Sequence, residues 1–383
     1  MMIPYDVWAE IDLNALAGNI KGLKRLLAGR TGFMAVVKAN AYGHGATEIS
    51  KRAVAAGADA LGVARIGEAI ELRHAGIDAP VLIFGKTRPS QAGRIIEHGL
   101  TQTVCSYEDA AGLSERARVM GCRISVHVKI DTGMGRLGIV AGRKGNLRDP
   151  GTGVVDEICA IYGLEGLHCE GIYTHFAAAD EADKSMTVNQ LALFDTLMNR
   201  LAERGVRFKV RHAANSAAVI DMPETHLDMV RAGISLYGYY PSGYVNRDTV
   251  GLDPVMTLKS RIVHLKTVGP GFPVSYGATA RTENETVIAT VAVGYADGFS
   301  RLLSSRGKMT VRGALAPVIG RVCMDATMLD VGRIPDVAVG DEVTIFGKPG
   351  AGVLSADWFA DQASTITYDV LTSVSSRVSR IYV

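Results

Sequence analysis

The sequence predicts an α/β plus all-β protein: an N-terminal (β/α)8 barrel of the TIM type followed by a C-terminal antiparallel β domain. Two observations carry this. Eight apolar, β-branched runs of strand length alternate with helix-like stretches between residues 33 and 238, as parallel strands buried on both faces do. Past residue 241 the runs become short and rich in Val, Thr and Ile, with Gly, Pro and Asp between them, which is the pattern of antiparallel strands.

The barrel runs are FMAVVKA (33–39), ALGVAR (60–65), PVLIFG (80–85), TQTVCS (101–106), RISVHVKID (123–131), CEGIYTH (169–175), FKVRHAA (208–214) and MVRAGISLYG (229–238). Between them, ATEISKRAVAAGA (46–58) sets Ile49, Ala53, Val54 and Ala56 at helical spacing, and SERARVMG (114–121) and NQLALFDTLMNRLAERG (189–205) do the same. Gly57, Gly76 and Gly205 act as stop signals, and Asp109 begins the helix before Gly121. Eight such units suit a barrel of ~250 residues. A doubly wound sheet predicts fewer strands and a phosphate loop after the first. PSGYVNRD, from residue 241, reads as a junction between a barrel over 1–240 and a β domain over 241–383, with residues 1–11 able to pack with the β domain. The later runs are 255–268, 285–295, 308–313, 315–323, 327–331 and 341–347, with one helix around 355–373.

Charge is nearly balanced over the 383 residues, with 41 Lys+Arg against 39 Asp+Glu. That argues against a nucleic-acid binder with a broad basic face and against a polybasic membrane anchor. No run is long and apolar enough to span a membrane. Asp6, Glu10 and Asp12 stand where a signal peptide is basic and then apolar, so the expectation is a cytoplasmic protein. The five cysteines form no C-x-x-C pair, and His168, His175, His212 and His264 lack ligand spacing. Neither a disulfide framework nor a metal site is expected.

In a barrel, groups at the C-terminal strand ends face the active site. Lys38 ends the first run. It reads either as a lysine snorkelling out of the strand end or as one with a lowered pKa that forms a Schiff base. Arg65 and His175 end the second and sixth runs, and Asn215–Ser216 follow the seventh. Arg231, Gly233 and Ile234 lie in the eighth. Ser216 and the backbone around Gly233 suit a phosphate, which barrels commonly hold after strands seven and eight. GMGRLG (133–138) matches G-x-G-x-x-G, but the stretch after it opens no apolar-periodic helix and reads as a long loop, not a dinucleotide site. Within it, Arg136 reads as a surface arginine or a carboxylate clamp. Tyr276, beside Gly277, reads as packing or as a reactive phenol.

AVVKANAYGHG (35–45) resembles the pyridoxal-phosphate lysine motif of the bacterial alanine racemase family, of fold type III. WAEIDLNAL (8–16), KIDTGMGRLG (129–138), GIYTHFAAAD (171–180), HAANSAA (212–218) and MVRAGISLYG (229–238) are similar to it as well. So are SYGAT (275–279), VGYADG (293–298) and GRVCMDATM (320–328). The resemblance implies a homodimeric isomerase that interconverts L- and D-alanine with pyridoxal 5'-phosphate and supplies D-alanine for peptidoglycan. Lys38 would hold the cofactor covalently and act as one base, and Tyr276 of the partner subunit as the other. Tyr42, Ser216, Gly233, Ile234 and Tyr368 would hold the phosphate, with His175 near the ring and Arg231 at the pyridine nitrogen. Arg136 would fix the substrate carboxylate with the backbone of Met324 of the partner subunit. Lys129 matches a position carbamylated in some members. The loop over 139–156 looks longer than the family needs, Ala280 stands where an aromatic is common, and Asp369 where glutamate is. These departures leave a racemase for serine or a broader set of amino acids as the alternative.

Overall fold

The computed structural model describes residues 5–143, 146–348, 350 and 352–383. The strand β1 (Val7–Ile11) precedes the barrel. The barrel strands are β2 (Gly32–Val36), β3 (Ala60–Val63), β4 (Val81–Ile83), β5 (Thr101–Val104) and β6 (Ile124–Asp131). Next come β7 (Ile139–Val140), β8 (Gly142–Arg143) and β9 (Asn146–Pro150). The barrel is completed by β10 (Leu167–Tyr173), β11 (Val210–His212) and β12 (Met229–Ala232). β2 to β6 and β10 to β12 pair in parallel, and the β12–β2 and β6–β10 pairings close the ring. All eight predicted runs contain barrel strands, because each is buried on both the helix-facing and the interior side and is largely apolar.

Register places the polar interior. Lys129 lies opposite Tyr173, and Tyr173 opposite His212. Gly171, opposite His127, leaves the room for that ring: a Cβ there would stand 2.6 Å from it.

Three readings are corrected. The loop expected over 139–156 is β7, an antiparallel β8–β9 pair, and a helix that begins at Thr152. Its Gly/Arg/Asp composition hid the strands; residues 144–145 lie outside the described set. The helix before Gly121 starts at Tyr107, not Asp109, because the Ser106 side chain caps it by accepting from the Asp109 N–H. The late helix is two, Ala356–Gln362 and Thr367–Ser373. Ser364, at φ 53°, lets the Thr365 N–H turn back to Ala360 O and end the first.

The second sheet is built on β13 (Met256–Val268), followed by the β14 (Pro273–Val274) and β15 (Ala280–Arg281) hairpin and β16 (Thr286–Val291). β17 (Lys308–Val311), β18 (Ala314–Pro317), β19 (Thr327–Asp330), β20 (Glu342–Phe346) and β21 (Ser379–Tyr382) follow. β13 pairs antiparallel with β1, β16 and β20, and β1 pairs in parallel with β21. The chain thus contributes a strand to the second sheet before it enters the barrel. Asn19, buried on the first helix, joins the two bodies. Its amide donates to Leu236 O and Asp253 O and accepts from the Asp253 N–H. Gly238, at φ +90°, allows Asp253 O to pack where a Cβ would sit.

Candidate active site

A cavity of about 570 Å³ opens at the C-terminal ends of the barrel strands. Lys38, Tyr42, Lys129, Arg136 and His175 line it, and so do Ser216, Arg231, Gly233, Ile234 and Tyr368. Lys38, Arg65 and His175 each lie two residues past the strand they were expected to end, on the rim instead of in the ladder. Of the three, Arg65 does not reach the cavity.

Lys38 begins an unusual turn. Ala39, Asn40, Ala41 and Tyr42 all have φ between 51° and 53°. A left-handed conformation costs roughly 1–2 kcal/mol for each L-residue that is not glycine, so the turn must be held from outside. Glu68 accepts the Ala39 N–H at 2.6 Å, and Asn40 Oδ1 accepts the Ala46 N–H at 2.8 Å. His44, buried under the turn, donates from Nδ1 towards the Ala41 and Tyr42 carbonyls. Burial, then the charge of Arg136, lowers the Lys38 pKa. The amine is therefore easier to deprotonate than an ordinary lysine.

Arg231 is 4% exposed and holds no carboxylate partner among the described residues. Its Nη1 donates to His212 Nδ1 at 2.7 Å; Nη2 donates to Thr174 O and Ala213 O, both at 2.9 Å, and to His175 Nδ1 at 3.1 Å. A guanidinium cannot accept, so His212 carries its proton on Nε2 and donates it to His127 Nδ1 at 2.9 Å. Burial holds His127 down to about 4 and His212 and His175 well below the usual histidine range, so all three are neutral at pH 7. Burial also brings Arg231 down to about 10, which leaves it charged. Lys129, 4% exposed, sits 5.3 Å above the Tyr173 ring, and burial followed by Arg231 and Arg136 brings its pKa to about 8.

Across the cavity, Ser216 Oγ accepts the Gly233 N–H at 2.8 Å and the Ser235 hydroxyl at 2.9 Å. A Cβ on Gly233 would stand 2.7 Å from the Tyr42 hydroxyl, so only glycine leaves this cradle open. The ring of Tyr42 packs between Tyr237 and Tyr368, at 4.8 and 6.0 Å. GMGRLG serves no phosphate. The Asp131 carboxylate accepts the N–H groups of Gly133, Met134 and Gly135, which folds the loop and delivers Arg136 to the rim.

The described chain does not bring every predicted residue together. Tyr276 and Met324 lie on the β domain, outside the cavity, and are 69% and 52% exposed. Tyr276 stands on the β14–β15 hairpin between Ser275 at φ 64° and Gly277 at φ 72°. The Ser275 hydroxyl donates to Arg321 O at 2.6 Å, which ties that hairpin to the loop that carries Met324. Sequence reasoning missed His127, His212 and Glu68. The two histidines meet over Gly171 of β10, the strand between theirs, from positions 85 residues apart, and no spacing signals that.

Pyridoxal phosphate suits these donors. The cradle of Gly233 and Ser216 is polar and kept open by the glycine, Lys38 can take the aldehyde, and neutral His175 and charged Arg231 line the same cavity. Fold and site together define a pyridoxal-phosphate-dependent enzyme of the barrel type. Two family models match the chain: the N-terminal domain of alanine racemase over residues 11–241 and the C-terminal domain over 255–382. The alanine racemase of Desulfosudis oleivorans is 52% identical over 100% of this chain and 97% of its own. The solved alanine racemase of Clostridium difficile superposes with a TM-score of 0.93 at 41% identity, over 100% of this chain and 97% of that one. The alanine racemase of Bartonella henselae, solved with covalently bound pyridoxal phosphate, gives 0.86 at 26% identity, over 99% of this chain and 100% of that one. The chain belongs to the alanine racemase family, a family of pyridoxal-phosphate-dependent isomerases, and catalyses the interconversion of L- and D-alanine.

Proposed function

We propose that the chain racemises alanine as a homodimer, with Lys38 as the base on one face of the α-carbon and Tyr276 of the partner subunit as the base on the other. The observation that carries this reading is the separation of the two groups within one chain. Lys38 lines the cavity, and Tyr276 stands exposed on a hairpin outside it. Inversion needs a proton removed on one face and returned on the opposite face, and one lysine cannot reach both.

Pyridoxal phosphate, when bound, supplies the electron sink for the α-carbon. The chain supplies the rest. Lys38 Nζ, with its lowered pKa, exchanges the proton on its side, and the phenol of Tyr276 of the partner subunit exchanges it on the other. Tyr42, Ser216, Gly233, Ile234 and Tyr368 hold the phosphate, and His175 packs beside the ring. Arg231 keeps its own proton at neutral pH, so a pyridine nitrogen facing it stays an acceptor. Arg136 and the backbone of Met324 of the partner subunit fix the substrate carboxylate. Lys129 Nζ is partly neutral near pH 8 and adds carbon dioxide, releasing one proton to solvent; the resulting carbamate gives Arg136 a counter-charge. The enzyme works in the cytoplasm, apart from membranes, and its D-alanine goes to peptidoglycan. Among the described residues no helix is long and apolar enough to cross a membrane.

The test follows the α-proton of L-alanine in heavy water with the cofactor-loaded protein, beside L-serine and L-lysine, and assays product chirality. Exchange with formation of D-alanine, fastest for alanine, is expected. Exchange without inversion would remove Tyr276 from its role.

A further inference from the structure

We propose that Arg380 is a positioning residue for the cofactor phosphate: its guanidinium fixes the left-handed turn that carries Tyr42. This rests on the reading of Tyr42 as a phosphate ligand. β21 brings Arg380 against a turn 337 residues earlier in the chain. Nε and Nη2 both donate to the carbonyl of Gly43, at 2.9 and 2.7 Å. Nη2 also donates to Val374 O, and Nη1 to Ser375 O and Val378 O, both groups within 2.6 Å. One side chain therefore joins the carbonyl just after Tyr42 to three carbonyls of the tail beyond the helix Thr367–Ser373. That helix brings Tyr368 and Thr372 to the same cavity.

Arg380 has no carboxylate within ion-pair distance among the described residues, so it gathers carbonyls and does not neutralise a charge. Only a guanidinium presents enough N–H groups in a rigid fork for this; a lysine offers three donors from one point. The turn needs such an anchor. Glu68 and Asn40 hold its start and His44 the carbonyls of Ala41 and Tyr42, which leaves the exit carbonyl of Gly43 to Arg380; four consecutive residues in left-handed backbone persist only where the surroundings fix them. The exit is in tight contact with the tail: a Cβ on Gly43 would stand 2.3 Å from Leu371 O. A shift of Gly43 moves Tyr42, whose hydroxyl abuts Gly233 in the cradle. If Arg380 served only the stability of the fold, its loss would lower the unfolding temperature without distinguishing one ligand from another.

The experiment titrates the apo forms of the full chain, Arg380→Lys and Arg380→Gln with pyridoxal phosphate and, separately, with pyridoxal. Pyridoxal keeps the aldehyde and ring and lacks the phosphate. Binding is read by absorbance, and thermal unfolding of each apo form is recorded. The expected result is a Kd for pyridoxal phosphate raised at least tenfold, with the Kd for pyridoxal within twofold of the parent. Arg380→Gln keeps two donors and serves if the lysine variant does not fold. An unchanged Kd for pyridoxal phosphate, or an equal loss for both ligands, overturns the proposal. Tyr42→Phe is run in parallel. If it shows the phosphate-selective loss and the Arg380 variants do not, Arg380 alone is wrongly assigned. If Tyr42→Phe shows none, the phosphate reading of Tyr42 fails and the role of Arg380 falls with it.

Discussion

The barrel rim and the β14–β15 hairpin present their reactive groups in opposite ways. In the barrel, Arg231 and Lys129 are 4% exposed on their strands and Lys38, on the rim, has its pKa lowered, all by groups of the same chain. On the hairpin, Tyr276 is 69% exposed, although Ser275, Gly277 and Ala278 hold it on left-handed backbone. Burial tunes the first set before any ligand arrives. The second is held in a defined backbone but left uncovered. The difference teaches that one chain tunes the groups of its cavity by burying them, whereas it leaves Tyr276 to whatever surface covers it.

Four changes break or sharpen that contrast. The largest effect belongs to Lys38→Ala, which should lower racemisation by more than about 10⁴-fold and leave no borohydride-trapped adduct on the chain. A trapped adduct on another lysine would refute the assignment. Tyr276→Phe should lower kcat by roughly 10²- to 10⁴-fold and keep the bound cofactor, with single-face proton exchange surviving in heavy water. Dilution of the parent into monomers should reproduce that phenotype.

Lys129 tests the buried side by pH. Its pKa falls from the ordinary 10.5 to about 8 on folding, so between those values the unfolded chain binds more protons and stability rises with pH. The rise should reach about 3 kcal/mol, read as the difference between the parent and Lys129→Met in denaturant titrations at pH 8 and 10.5. Bicarbonate that converts the amine to a carbamate would flatten it, so the titration is run with and without bicarbonate. The smallest effect is expected from Met324→Ala. If its backbone carries the role, kcat/KM should fall by no more than about threefold, under 1 kcal/mol. A fall of about 100-fold would assign the role to the side chain.

Much of the fold was legible because barrel strands are buried on both faces and so stay largely apolar even where a few polar side chains enter the interior, and eight such runs can be counted along the sequence. The rim was displaced by two residues because Lys38, Arg65 and His175 continue runs whose ladder bonding has already ended. The turn after Lys38 was illegible: Ala39 and Ala41 favour right-handed helix, and the contacts that accompany their reversed hand come from His44 beneath the turn and from Glu68 and Arg380, both distant in the sequence. The hairpin over β8 and β9 was hidden by its polar, glycine-rich composition. The His127–His212–Arg231 relay was hidden because its members, far apart in the sequence, meet only inside the barrel. The cradle at Ser216 and Gly233 was visible, since barrels recur to those two loops for phosphate.

The contact between Arg380 and Gly43 also sets a clock. At ~5–20 residues per second the ribosome adds Arg380 roughly 17–67 s after Gly43, the two being 337 positions apart. β12, which closes the barrel, is itself added well inside that interval, and the turn beside Lys38 then waits for its outer contact. The stretch that carries Tyr42 is therefore among the first parts of the barrel to be made and among the last to receive all its holding contacts, after β21 has docked on β1.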